Sequence, residues 1–373
     1  FFQAEDGIRD KLVTGVQTCA LPIWAVGNPT NRFDEAKRFV TDDGWSTGVE
    51  DPDDALPPLR TTVAIDSTRT IIARNDSPDI PFLQSINPYR GCEHGCIYCY
   101  ARPSHGYLGL STGLDFETRL FAKPNAAKLL EAELRRPGYT PAAIALGSNT
   151  DPYQPVEREH RITRQILEVL AAYNHPFTIV TKSALVLRDL DIIAPMAAKR
   201  MAKVFVSVTT LDRELARTME PRASTPPRRI DAIRGLAAAG VSTGVMAAPM
   251  IPALNDDELE AILEAAHEAG AVSAGYTLLR LPHEIKDLFA QWLDTHAPMK
   301  AKHVLSLVRE TRDGRLNDPN FGSRMRGSGT YAELLGKRFR LACKRLGLNK
   351  HDWQLDLTQF KLPPRAGDQL RLL

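Results

Sequence analysis

The stretch "FLQSINPYRGCEHGCIYCY" occupies residues 82–100. A short apolar run, FLQSI, stops at the turn residues Asn87 and Pro88, and three cysteines follow: Cys92, Cys96 and Cys99. The whole chain has five cysteines among 373 residues. That is too few for a disulfide framework, and crowding of this kind in a reducing compartment points to metal or redox chemistry.

Outward from this stretch the same unit repeats. The runs AAIALG (142–147), FTIVT (177–181), KVFVSVT (203–209), TGVMAAPM (243–250) and AGYTLLR (274–280) are short, apolar or β-branched on both faces, and bounded by turn residues. These are the marks of buried parallel strands. Helical periodicity fills the gaps at 125–136, 159–173, 186–199, 226–239, 256–269 and 283–294. In the second of these, Ile162, Ile166, Leu170 and Tyr173 share a face. The 226–239 segment opens on Pro and stops at Gly240, and Asn255 with Glu258 reads as an N-cap for the next helix.

Six strand–helix units in a row predict a parallel α/β fold. A partial (β/α)6 barrel and an open doubly wound sheet both satisfy the pattern. In either, function belongs in the loops beyond the C-terminal strand ends. The cysteines stand just after the first strand.

The flanks are different in character. Residues 1–24, with FFQAEDGIRD and VTGVQTCALPI, read as a translated sequencing adapter, so Cys19 carries no weight. Residues 25–80 form a polar, extended or loop-like lead-in. The core is expected over 81–310. Residues 311–373 form an appended basic region with a helix at 330–347 and a flexible tail. A formal net charge of +2 gives no global signal for nucleic acid. No apolar run is long enough for a membrane span, and the cytoplasm is the expected compartment.

A closed structural zinc site takes four protein ligands. Three thiolates leave a position open. One alternative completes a zinc site with His94 or His105, giving a nucleic-acid-binding module. The other leaves one iron of a [4Fe-4S] cluster without a protein ligand. The C-x3-C-x2-C spacing, with Tyr98 before the third cysteine and a strand before the first, resembles the radical S-adenosylmethionine (SAM) enzymes.

That resemblance implies a cluster on Cys92, Cys96 and Cys99 whose open iron chelates the amino and carboxylate groups of SAM. Its electron cleaves SAM to methionine and a 5′-deoxyadenosyl radical, which abstracts hydrogen from a substrate. It also implies a reductant such as flavodoxin or ferredoxin. Tyr98 is the expected adenine contact. The loop after the second strand lacks the common GGE triplet, and Ser148, Thr150 and Asp151 offer oxygens to the SAM ammonium in its place. Lys182 and Arg222 are candidate partners for the SAM carboxylate, the latter alternatively an ion-pair partner of Glu220. Ser207 and Thr209 are candidates for the ribose, and Ala248 for close approach of the adenine.

"SINPYRGCEHGCIYCYARPSHGYLGL" (85–110), "MEPRASTPPRRIDAIRGLAAAGV" (219–241) and "GVMAAPMIPALND" (244–256) narrow the resemblance to the spore photoproduct lyase-like group. In the true lyase a cysteine after strand two returns hydrogen to the product radical. Ser148 stands at the matching position, and an O–H is a far poorer hydrogen-atom donor than a thiol. The lyase reaction does not carry over with the resemblance, and no catalytic residue is assigned.

His105, Tyr107, Asp115 and Glu117, in the long loop after the cysteines, are candidates for the substrate side. Arg222, Arg228, Arg229 and Arg234, with Arg309, Arg312, Arg315, Arg324 and Arg326, are candidates for a phosphate-tracking stripe on a nucleic-acid substrate. The last residues, QLRLL (369–373), resemble the peptide by which bacterial repair proteins bind the sliding clamp.

Overall fold

The computed structural model describes residues 28–33, 60–350 and 354–364. The adapter-like start and the QLRLL tail lie outside the described residues. Ten strands run in chain order: β1 (Thr62–Ile65), β2 (Ala73–Arg74), β3 (Gln84–Ile86), β4 (Tyr89–Arg90), β5 (Arg119–Ala122), β6 (Ile144–Leu146), β7 (Phe177–Thr181), β8 (Ala202–Ser207), β9 (Thr243–Met250) and β10 (Ser273–Leu278). All six strands anticipated from the apolar runs are present.

The main sheet has the order β10-β9-β8-β7-β6-β3-β2. The six strands from β3 to β10 pair parallel, and β2 is an antiparallel addition to the β3 edge. Among these six parallel strands each pairs with the one before it. A doubly wound sheet reverses order at a switch point; this one never does, which leaves the barrel-type winding.

The sheet is curled. Laid flat, six strands spaced by about 4.8 Å would hold β3 and β10 about 24 Å apart. Yet Arg280, just past β10, lies 5.8 Å from the ring of Tyr100 in the loop after β3. The seam between the two edges is bridged by side chains, with Arg324 bonding Asp79 at 2.6 Å. Arg324's neighbour Met325 accepts the Leu278 amide through its carbonyl at 3.0 Å. The result is a partial (β/α)6 barrel.

The helices form for the reasons the sequence gives. In Ile162–Ala172 the residues Ile162, Ile166, Leu167 and Leu170 are all buried against the sheet. Pro226–Ala238 starts with Pro in its first turn and is followed by Gly240 at φ 75°. Asn255 stands at the N-cap position of the short 3-10 turn Asp256–Glu258, but its side chain makes no cap hydrogen bond. Instead its Oδ1 accepts from the Ile251 amide at 2.6 Å, while Nδ2 donates to the carbonyls of Thr209 at 2.7 Å and Pro249 at 3.0 Å. It is a buried tie between the ends of β8 and β9.

Two further differences shape the site. A second sheet, β1-β5-β4, draws the lead-in segment onto the loop after the cysteines. Helices Ile285–His296 and Pro298–Glu310 then build a second apolar cluster, in which Leu288, Phe289 and Trp292 pack with Cys96, Ile97 and Tyr98. Helix Gly329–Leu346 lies outside the sheet on the first core, carrying buried Cys343 with it. No helix among the described residues is long and apolar enough to cross a membrane.

Candidate cluster and cofactor site

The cysteine loop is held by its backbone. Cys92 N–H donates to the Phe116 carbonyl at 2.9 Å and Ile97 N–H to Met219 at 3.0 Å. Arg102, fully buried, gathers the loop's carbonyls: Nε donates to Cys96 at 2.8 Å, Nη2 to Gly95 at 2.9 Å, and Nη1 to Thr112 and Gly113 at 3.1 and 2.9 Å. Its charge is met by the buried Glu117 carboxylate. Gly95, at φ 66°, leaves room for that carboxylate, since a Cβ there would lie 2.9 Å from Glu117 Oε2.

Cys92 and Cys96 are buried and Cys99 half-buried. Cys99 packs on both apolar clusters that contain the other two. Burial pushes the Cys92 thiol well up, reinforced by Asp151 and by Cys96. Burial likewise raises the Cys96 thiol to about 12, opposed by Lys182. Two buried thiols whose charged forms are disfavoured are a donor pair that a cation would relieve. The two histidines a zinc site could draw on are each held through one ring nitrogen, and the buried His105 Nδ1 has no hydrogen-bond partner. His94 Nδ1 lies 3.4 Å from Asp151, and His105 Nε2 lies 2.9 Å from the Arg119 carbonyl. No group of three or more His, Cys, Asp or Glu among the described residues converges as ligands of one ion would. Three thiolates leave a coordination position open, which suits a [4Fe-4S] cluster with one iron free of protein ligands.

On the Cys92 side stands the loop after β6. Gly147 sits at φ 91°, and a Cβ there would meet the Val180 carbonyl at 2.1 Å. Asn87 gathers this loop: its Oδ1 accepts from the amides of Asn149 at 2.9 Å and Thr150 at 3.2 Å, and its Nδ2 donates to Ser148 Oγ at 3.1 Å. Thr150 Oγ1 donates to Tyr89 O at 3.1 Å. Asp151 is committed internally. Its carboxylate accepts from Thr181 Oγ1 at 2.7 Å, Tyr153 N at 2.9 Å and Lys182 N at 2.7 Å, with His94 on the remaining side. These contacts outweigh burial and pull it down to about 2. A carboxylate has about four acceptor positions, so Asp151 orders strand ends and has none left for an ammonium.

On the Cys96 side lies a buried charged network. The Tyr98 hydroxyl donates to the Glu220 carboxylate and sits 3.2 Å from Thr209 Oγ1. Thr209 Oγ1 is 2.7 Å from Glu220 and 3.0 Å from the Ala248 carbonyl. Glu220 also receives Arg229, whose Nε and Nη1 donate to the carbonyls of Ser224 at 2.7 Å and Ser207 at 3.1 Å. Burial opposes the Glu220 charge, but Arg229 and Lys182 overcome it and hold the carboxyl down at about 2. Lys182 Nζ lies 5.8 Å from the Tyr98 ring. Burial works against its charge, while Cys96 and Glu220 raise its pKa overall.

The arrangement brings Tyr98, Lys182, Ser207 and Thr209 together beside Cys96, and Ser148 and Thr150 beside Asp151 near Cys92. It corrects several expectations. Glu220 pairs with Arg229; Arg222 reaches Thr61 Oγ1 at 3.1 Å and approaches Glu93 at 3.7 Å. The Thr209 hydroxyl lies on Glu220 and the Ala248 carbonyl. His105, Asp115 and Glu117 are buried supports; of the four loop candidates only Tyr107 is exposed. Three members of the basic stripe are committed internally: Arg229 is buried on Glu220 and two carbonyls, Arg312 is buried with Nη1 and Nη2 on backbone carbonyls, and Arg234 pairs with Asp231. Arg102, Asn87, Asn255 and Arg229's role went unseen in the sequence. Most of their partners are backbone carbonyls and amides, which carry no residue-type signal in the sequence.

The family model described as "Radical SAM superfamily" matches residues 86–266. An uncharacterized protein of Mycobacterium tuberculosis is 38% identical over 266 residues, covering 70% of this chain and 76% of that one. One of Methanocaldococcus jannaschii is 29% identical over 173 residues, 46% of this chain and 62% of the other. Among solved structures, spore photoproduct lyase complexed with dinucleoside spore photoproduct superposes with a TM-score of 0.55 at 16% identity, covering 77% of this chain and 80% of that one. A variant of that lyase with bound AdoMet and the same dinucleoside gives 0.54 at 15% identity over the same shares.

Proposed function

Since the chain belongs to the radical SAM superfamily and shares its fold with spore photoproduct lyase, we propose that it reductively cleaves SAM at a [4Fe-4S] cluster held by Cys92, Cys96 and Cys99. The observation that carries this reading is the three-thiol loop at the mouth of the partial barrel, fixed through its carbonyls by Arg102. When bound, the cluster supplies one electron and an open iron position for SAM, from an external donor such as reduced flavodoxin or ferredoxin.

The chain's own residues do the rest. Lys182, held charged beside Cys96 and Glu220, pairs with the SAM carboxylate. Ser148 and Thr150, on the Asn87-ordered loop, face the ammonium. Tyr98 and Ala248 flank the adenine, Ser207 borders the ribose, and Arg222 is a second cation near the cysteine loop. Glu220 and Arg229 keep Tyr98 and Lys182 in place without touching the cofactor. The apolar cluster of Trp292, Phe289 and Leu288 beneath Tyr98 excludes water from the site. Ser148 in place of a thiol argues that any hydrogen returned to a product radical comes from another source.

Anaerobic reconstitution tests the proposal. The expected result is iron and sulfide in the protein and 5′-deoxyadenosine on reduction with SAM, both lost in Cys92→Ala, Cys96→Ala and Cys99→Ala. Bound zinc without iron, or no 5′-deoxyadenosine above a cluster-free control, would overturn it.

A further inference from the structure

Beyond β10, past the end of the family match over 86–266, the chain lines a groove. A cavity of about 510 Å³ is lined by Arg280, His283, Lys286, Arg315, Asn317 and Arg324 with intervening prolines. A second of about 220 Å³ shares Arg280, Pro282 and His283 and runs on to Tyr100 and Asn149. Tyr100 follows Cys99 directly, and Asn149 is in the loop after β6. The two cavities therefore form one groove that ends at the proposed cofactor site.

The groove is rich in unanswered positive charge. Arg280 is the clearest case. Its guanidinium stacks on Tyr100, its Nη1 reaches only the thioether of Met325 at 3.5 Å, and its buried Nε has no partner. A thioether is a weak acceptor, so donors are held ready with nothing to receive them. The nearby carboxylates are engaged elsewhere. Asp79 bonds Arg324 at 2.6 Å and the Gly322 amide at 2.6 Å; Asp318 takes Ser323 and the Asn320 amide; Glu284 pairs with Arg32. Among the described residues none forms an ion pair with Arg280, Lys286 or Arg315. Burial and the neighbouring Arg324 both disfavour charge on Arg280 and outweigh Tyr100 and the two aspartates. Residue 283 adds backbone strain, a histidine at φ 50°, at the point where the two cavities meet. Such strain persists where the surroundings impose it, and it collects at ligand sites.

We propose that this groove binds the phosphate of a phosphate-ester substrate on Arg280, Lys286 and Arg315, with the Asp79-held Arg324 beside them, and so directs the rest of the substrate past Tyr100 toward the cofactor. The inference rests on the enzymatic reading above for the word substrate, but the anion site stands on its own geometry. Planar guanidinium groups suit phosphate oxygens, and an aromatic ring beside them offers a face to a flat group. Arg315 and Arg324, which fail as parts of a long stripe, belong here to a compact site.

Calorimetric titration of the full chain tests this without any turnover, using thymidine, thymidine 5′-monophosphate, a tetrathymidylate and pyrophosphate. Phosphate-bearing probes should bind at least about tenfold tighter than thymidine, with affinity falling as salt rises. Pyrophosphate binding as tightly as the nucleotides assigns the site to phosphate alone; a tighter nucleotide assigns a base contact as well, and a still tighter tetramer a chain. Arg280→Gln with Arg315→Gln should weaken the nucleotide about tenfold or more. If that pair does not fold, Lys286→Gln, at a half-buried position, should still weaken it several-fold. Equal binding of thymidine and its monophosphate, or full binding by a folded variant, overturns the proposal. Because no SAM cleavage is read, its failure is separate from failure of the cluster reading.

Discussion

The Glu220 carboxylate and the Arg229 guanidinium form an ion pair buried at 2% and 1% exposure, directly behind the Tyr98 hydroxyl. Removing one partner leaves the other charged and dry, which costs about 3 kcal/mol or more. Glu220→Gln should therefore lower unfolding stability by about 3 kcal/mol, measured by denaturant titration of the metal-free protein, and Glu220→Gln with Arg229→Gln should recover part of it. The pH response has a defined sign. The Glu220 carboxyl is depressed to about 2 from a usual 4.5, so its stabilisation is complete above about pH 5 and fades as pH falls toward 2. A stability difference between parent and variant that grows from pH 5 to 8 would contradict this assignment.

Arg102 makes a separate prediction. It satisfies four backbone carbonyls and Glu117 at once. Lysine has three donors on a point charge and no planar fork. Arg102→Lys should keep the α/β circular dichroism while losing about 2 kcal/mol, roughly one charge-assisted hydrogen bond. Reconstituted iron per chain should fall with it. Full iron loading in Arg102→Lys would show that the cysteine loop orders itself without this support.

The strand ladder and the metal loop were legible because their signals are local: apolar runs of strand length and three cysteines in eight residues. Most of what positions the site was not. Glu220 and Arg229 are nine residues apart, and the adjacent Arg222 offered the simpler pairing. Asn255 has the composition of a cap, but three strand-end groups bid for the same amide. Asp151 has the chemistry of an ammonium contact, but Thr181, Tyr153, Lys182 and His94 occupy its acceptor positions. Arg280 carried no motif at all. It matters because the curl of the sheet brings the last strand's exit against Tyr100, a tertiary fact with no counterpart in sequence spacing.

Lys182 separates the cofactor reading from a purely structural one. Lys182→Met keeps the aliphatic stem over Tyr98 and removes the charge. Loss of a charge-assisted contact is worth about 1.5–3 kcal/mol, or roughly 10- to 100-fold in affinity. Equilibrium dialysis of SAM against the reconstituted protein should show that loss. Unchanged affinity with lowered stability would reduce Lys182 to a counter-ion for Glu220.

Gly147 tests whether the loop after β6 is set by its backbone. Its φ of 91° is a conformation that side-chain-bearing residues rarely adopt, and an added Cβ would fall 2.1 Å from the Val180 carbonyl. That oxygen belongs to β7 and cannot swing aside as a flexible side chain would. Gly147→Ala therefore combines backbone strain with a clash, and the strain alone costs about 1–3 kcal/mol. The loop must shift, and the Asn87 bonds to Ser148, Asn149 and Thr150 shift with it. The expected outcome is a loss of at least about 2 kcal/mol together with weaker SAM binding, since Ser148 and Thr150 are the proposed ammonium contacts. A variant that loses stability but binds SAM as the parent does would remove those two residues from the cofactor site and leave the loop a structural brace for Cys92.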